Sequence, residues 1–140
     1  MIALLDYGAG NVRSVQKALT AAGGDVLLVP SPELVKQADA VVLPGVGAFD
    51  DCINAMQQQD LFEAAREFVF TGKPFLGICV GYQALFENSE EFNSCAAGLG
   101  VFEGSVVRFP DTEVKVPQIG WNEVNMTQPN CPILKGIESG

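Results

Sequence analysis

One cysteine in the sequence stands in a setting that favours nucleophilic chemistry. Phe75-Leu76-Gly77-Ile78-Cys79-Val80-Gly81-Tyr82-Gln83 is an apolar run leading straight into Cys79, with glycines two residues before and two residues after it. That spacing is the G-x-S-x-G nucleophile elbow with sulfur in place of oxygen. A strand-to-helix turn this sharp leaves no room for side chains two residues away. It raises the thiol above the carboxyl edge of a sheet, where open α/β sheets bind ligands. The N-terminus of the following helix points partial positive charge at the sulfur and favours the thiolate. The Val80 N–H is placed to donate to an oxyanion. Free cysteine is also among the most buried residue types, but a structural core cysteine does not need the paired glycines.

A second segment, Pro44-Gly45-Val46-Gly47-Ala48-Phe49, also follows an apolar run. Its glycines let backbone N–H groups approach a ligand closely. Beside an elbow, Gly45, Val46 and Gly47 would supply the second oxyanion donor; standing alone, the segment would read as an ordinary turn. Asp6-Tyr7-Gly8-Ala9-Gly10-Asn11 suggests a dinucleotide loop, but Arg13 occupies the third glycine position and no acidic residue closes the second apolar run. Two physical requirements of that fingerprint therefore fail. Val116-Pro117-Gln118-Ile119-Gly120-Trp121-Asn122 holds the sole tryptophan, which fits either core filling or an exposed anchor for a partner.

The remaining composition narrows the chemistry. The sequence has no histidine, so any His base or ligand must come from outside these 140 residues. Cys52, Cys79, Cys95 and Cys131 match no metal-binding spacing, and neither a metal nor another cofactor is expected. The net charge of −9 is spread along the chain without a basic stripe, which argues against nucleic acid and anionic membrane as partners. The N-terminus lacks a signal-peptide pattern, and no apolar run is long enough to span a bilayer. Free thiols and these ends fit a cytoplasmic protein.

The elements that must position Cys79 follow from periodicity. Apolar runs at Ile2–Leu5, Val26–Val29, Ala40–Leu43 and Phe75–Ile78 predict buried strands. Between them, helical spacing recurs at Val12 to Ala22, after Ser31-Pro32-Glu33, from Ile53 to Val69, and from Val80 to Glu87. This alternation predicts an α/β fold of three layers, a mostly parallel sheet with helices on both faces. Residues 89–98 predict a surface loop, and Gly104–Phe109 with Val114–Met126 predict an antiparallel hairpin or meander. No linker divides the chain, so residues 1–140 read as one domain.

Together DYGAGN, LPGVGAF, GICVGYQ and VPQIGWN, in that order across the chain, resemble the triad type of glutamine amidotransferase. More narrowly, they resemble the glutaminase subunit of imidazole glycerol phosphate synthase, in histidine biosynthesis. The resemblance implies that Cys79 attacks the carboxamide carbon of L-glutamine. Val80 with Gly45, Val46 and Gly47 would form the oxyanion hole, and Gly47 and Gln83 would hold the substrate. Ammonia would pass to a cyclase subunit, a (β/α)₈ barrel, in a heterodimer. Tyr7, Gly8, Gly10, Asn11, Gln118, Trp121 and Asn122 would face that partner. Many relatives carry His where this chain has Gln118. The family completes its site with a His and a Glu from an F-x-H-P-E stretch that is not in this sequence, so the chain reads as the N-terminal part of such a subunit and is expected to be inactive alone. The alternative is a non-catalytic partner-binding fragment of that subunit. A chaperone or peptidase of the same broad fold fits less well, since such proteins place His where this chain has Val80.

Overall fold

The computed structural model describes every residue except Asp111, Glu113, Val114, Gln118 and Pro129. It divides the chain into two compact units, Met1–Arg108 and Phe109–Gly140.

The first unit is built on four parallel strands, β1 (Ile2–Leu5), β2 (Val26–Val29), β3 (Ala40–Leu43) and β4 (Phe75–Gly77), in the order β2-β1-β3-β4. Three of these strands begin and end where the apolar runs do; the central pair β1 and β3 is buried as expected for strands covered on both faces, whereas the border strands β2 and β4 leave Leu27 and Leu76 exposed. The pairing sets Leu4 beside Leu28 and Val42, and Val42 beside Leu76. Alternation along a strand sends Ala3, Leu5, Val41 and Leu43 to the other face. There they join a core with residues of α2 (Pro32–Lys36), α3 (Phe49–Gln58) and α4 (Leu61–Val69). In α3 the buried residues Phe49, Cys52, Ile53 and Met56 fall at i, i+3, i+4 and i+7, the spacing of one helix face. Each large apolar side chain fully buried in this way contributes ~1.5–3 kcal/mol. Helix α1 (Val12–Ala21) packs against β1 and β2 and contributes no residue to that core, so it belongs to the opposite layer. The three-layer α/β reading holds.

Three expectations need correction. The helical run from Ile53 to Val69 is two helices, broken at Gln59-Asp60, where Asp60 takes φ 58°. The helix expected from Val80 to Glu87 is only α5 (Val80–Gln83), because the chain then extends into β5 (Phe86–Ser89). Backbone bonds from residues 98–101 hold it extended: the Gly98, Leu99 and Val101 N–H groups donate to Glu87, Ala84 and Leu85, each at 2.8 Å. The antiparallel hairpin is also absent among the described residues: β6 (Phe102–Val106) pairs parallel with β5.

The second unit, Phe109–Gly140, has little regular structure among its described residues. Among its described residues no side chain is buried, and its regular structure is a 3₁₀ turn at Pro132–Leu134. The Val124 N–H donates to the Gly140 carbonyl at 2.9 Å, and the Met126 N–H donates to Ser139 Oγ at 3.1 Å. Prolines at 110, 117 and 132 remove ladder donors from this stretch, which disfavours the expected strand.

Candidate active site

Cys79 sits between β4 and α5 with φ 55° and ψ −118°, and it is exposed. A non-glycine residue at positive φ is uncommon and costs strain, so this backbone is a true elbow. Its glycines are sterically required. A Cβ on Gly77 would stand 2.6 Å from the Gly81 carbonyl oxygen and from Tyr82 Cα. A Cβ on Gly81 would run into the Leu43 carbonyl, which already accepts the Ile78 N–H at 2.9 Å. The end of β3 is thus locked against the turn carrying the thiol. Helix α5 has a single turn.

The loop after β3 reaches the elbow. A Cβ on Gly45 would collide with Gly81 N and stand 2.9 Å from the Val80 carbonyl carbon. The Pro44–Gly47 segment and the Cys79 turn therefore touch through backbone. Gly47 takes φ +85° with open space around it, and Val46 is half exposed. Among the described residues no protein group accepts the Val46, Gly47 or Val80 N–H. That leaves backbone donors free on the two turns that meet here, which is what an oxyanion needs. Gln83 is half-buried on α5.

The turn after β1 joins the same sheet edge. A Cβ on Gly10, at φ +97°, would stand 3.5 Å from Pro44 Cβ and 3.7 Å from Gly45 N. Gly8 and Asn11 are exposed, and the Asn11 side chain caps α1 by accepting the Ser14 N–H at 3.4 Å. Tyr7 differs from the expectation: it is 2% exposed, and its hydroxyl donates to the Pro44 carbonyl. A side chain so buried offers a partner no surface in this structure. Trp121 and Asn122 are exposed within the second unit, and Gln118 lies outside the described residues.

Sequence reasoning also missed Cys52. Its thiol lies 3.2 Å from the Tyr7 hydroxyl. Burial raises its pKa, and the Tyr7 hydrogen bond only partly offsets that. Asp50 was missed too. Its carboxylate accepts from the Ser94 hydroxyl and from the Cys95 and Ala96 N–H groups at 3.0 and 3.3 Å, pinning the loop after β5 to the start of α3. These hydrogen bonds, the Ser94 one first, hold its carboxyl below the usual carboxylate range.

Residues 3–137 match the family model of class-I glutamine amidotransferases. The chain belongs to that family. Among its relatives are the imidazole glycerol phosphate synthase subunits HisH of Syntrophotalea carbinolica (45% identical over all of this chain and 70% of that protein), Acinetobacter baylyi (48%, over 98% and 66%) and Chromobacterium violaceum (48%, over 99% and 68%). This amidotransferase chain thus spans about two thirds of the length of those relatives. A solved structure described as a glutamine amidotransferase superposes with a TM-score of 0.64 over 76% of this chain and 56% of that one; at 23% identity it supports the α/β fold. Among the described residues no helix is long and apolar enough to cross a membrane.

Proposed function

We propose that these residues form the nucleophilic half of a glutaminase site, in a subunit that supplies ammonia for imidazole glycerol phosphate synthesis in the cytoplasm. The observation that carries this reading is the contact between the Gly45 loop and the Val80–Gly81 turn behind an exposed Cys79 at positive φ. The Cys79 thiolate adds to the carboxamide carbon of L-glutamine, forming a C–S bond and an oxyanion. The Val80 N–H and the Gly45–Gly47 backbone stabilise that charge, and Gln83 and Gly47 hold the substrate. The C–N bond breaks, ammonia leaves, and water hydrolyses the thioester to glutamate. Full-chain similarity to HisH subunits supports a heterodimer with a (β/α)₈ cyclase. Gly8, Gly10, Asn11, Gln118, Trp121 and Asn122 would face that partner.

Leaving ammonia needs a proton and attacking water needs a base. The 140 residues hold no histidine, so a residue from outside them supplies that function. The alternative reading, that these residues bind a partner without chemistry, draws on the same absence. The deciding experiment measures glutamate release from the 140 residues and from the full-length subunit, each with the cyclase present, as wild type and Cys79→Ala. The proposal expects turnover only in the arm with the full-length subunit, abolished by the substitution. Turnover that survives Cys79→Ala would refute the nucleophile. Turnover by the 140 residues at the full-length rate would refute the external base.

A further inference from the structure

The oxyanion loop has an anchor that its own residues do not provide. Gly45 and Gly47 free the backbone on either side of Val46, and free N–H groups give the loop no ladder to lock it. Pro44, just before it, is buried, and its carbonyl accepts the Tyr7 hydroxyl. A tyrosine hydroxyl has one hydrogen. When it donates to Pro44, the contact at 3.2 Å to Cys52 Sγ is made by the thiol as donor. The result is a buried relay, Cys52 S–H to Tyr7 O–H to Pro44 C=O, from α3 through the turn after β1 into the oxyanion loop. Because a trans peptide is planar, its C=O and the next N–H point in opposite directions. Pinning the Pro44 carbonyl therefore sets the direction of the Gly45 N–H, on the residue that packs against the Cys79 turn.

We propose that Tyr7 is a positioning residue for the oxyanion loop: its hydroxyl, held by Cys52, fixes the plane of the Pro44–Gly45 peptide beside Cys79. This rests on the glutaminase reading above. The relay is unused by the chemistry, and its burial would be wasteful for a surface turn, since a buried hydroxyl without a partner is costly. Here the buried hydroxyl is satisfied twice.

The test uses the full-length subunit with its cyclase, as wild type, Tyr7→Phe and Cys52→Ala. Deleting an oxyanion donor outright costs ~10²–10³ in turnover, so misaiming the loop is expected to lower kcat for glutamine hydrolysis about tenfold in Tyr7→Phe. KM stays within about twofold, because the interaction acts on the transition state. Alkylation of Cys79 by iodoacetamide passes through no oxyanion and stays within about twofold as well. Amide hydrogen exchange at residues 45–47 speeds up in Tyr7→Phe. Cys52→Ala leaves the bond to Pro44 in place, and its loss of kcat is expected to be about threefold. An unchanged kcat, unchanged exchange at residues 45–47, or a parallel fall of kcat and alkylation would overturn the proposal. So would a larger loss from Cys52→Ala than from Tyr7→Phe. If the wild-type protein hydrolyses no glutamine, the glutaminase reading fails, and the exchange comparison still decides the role of Tyr7.

Discussion

The elbow makes its firmest demand at Gly77. In Gly77→Ala the new Cβ would stand 2.6 Å from the Gly81 carbonyl oxygen, 2.6 Å from Tyr82 Cα and 2.7 Å from Tyr82 N. Apolar contacts are optimal near ~3.5–4.0 Å, so three backbone atoms would each have to retreat by about 1 Å. Overpacking against side chains costs ~1–3 kcal/mol. These neighbours are backbone and cannot rotate aside, which places the cost at the top of that range. Alanine also stiffens the unfolded chain, a gain of ~0.4–1 kcal/mol. The net loss is about 2–3 kcal/mol, or a fall in Tm of roughly 8–12 °C for a domain of this size. Urea titration followed by circular dichroism reads the stability, and iodoacetamide labelling of Cys79 reads the geometry. Gly72→Ala is the control: Gly72 has φ +78° and open space around it, so it incurs only the left-handed penalty of ~1–2 kcal/mol. If Gly77→Ala costs no more than Gly72→Ala and leaves Cys79 labelling unchanged, the elbow is looser than the structure implies.

Limiting iodoacetamide at neutral pH is expected to modify Cys79 before Cys52, which is buried and holds its proton; mapped adducts on Cys52 first would contradict this. Trp121→Ala should leave stability unchanged, since the side chain is fully exposed, and as a partner anchor should weaken cyclase binding about tenfold or more by calorimetry. Asp50 titrates below its ordinary value in the folded chain. Its stabilising contribution is therefore complete at neutral pH and fades as pH falls from the ordinary carboxylate range through the depressed folded pKa. Asp50→Asn should flatten the acid limb of the stability curve below about pH 4; an unaltered limb would show that its bonds to residues 94–96 contribute nothing.

Strands β1, β2 and β3 were legible because each is an unbroken run of four apolar residues ending at an aspartate or a proline; near-complete burial follows only in the central pair β1 and β3, while β2 at the border leaves Leu27 exposed. The elbow was legible because steric necessity writes glycines into it. Residues 84–87 were not legible. Ala84-Leu85-Phe86 continues an apolar pattern compatible with a helix, and what draws it extended is backbone bonding from residues 98–101, which local periodicity cannot register. The break at Asp60 was hidden in Gln57-Gln58-Gln59, whose polarity fits the outer face of a longer helix as well as a junction. The surroundings of Tyr7 were not legible for a related reason: its neighbours Gly8 and Asn11 are surface residues, and only the fold brings Pro44 and Cys52 around its hydroxyl.

The sheet order has a consequence for how the nucleophile is held. Strand β4 is at one border of the first sheet, with Leu76 46% exposed, and among the described residues only β3 pairs with it. Border strands are ordinarily the first to fray, since half their backbone groups look outward and few contacts hold them. Here the strand is only three residues long and is preceded by Lys73 and Pro74, features that discourage stray pairing with another chain. It is held at both ends, by the Val41 N–H donating to the Pro74 carbonyl at 3.0 Å and by the Ile78 N–H donating to the Leu43 carbonyl at 2.9 Å, and at the far end the glycines of the elbow also nest against β3. The reactive turn is thus also a rivet of its own strand, and substitutions chosen to blunt the chemistry at residues 77–81 will loosen the sheet margin with it.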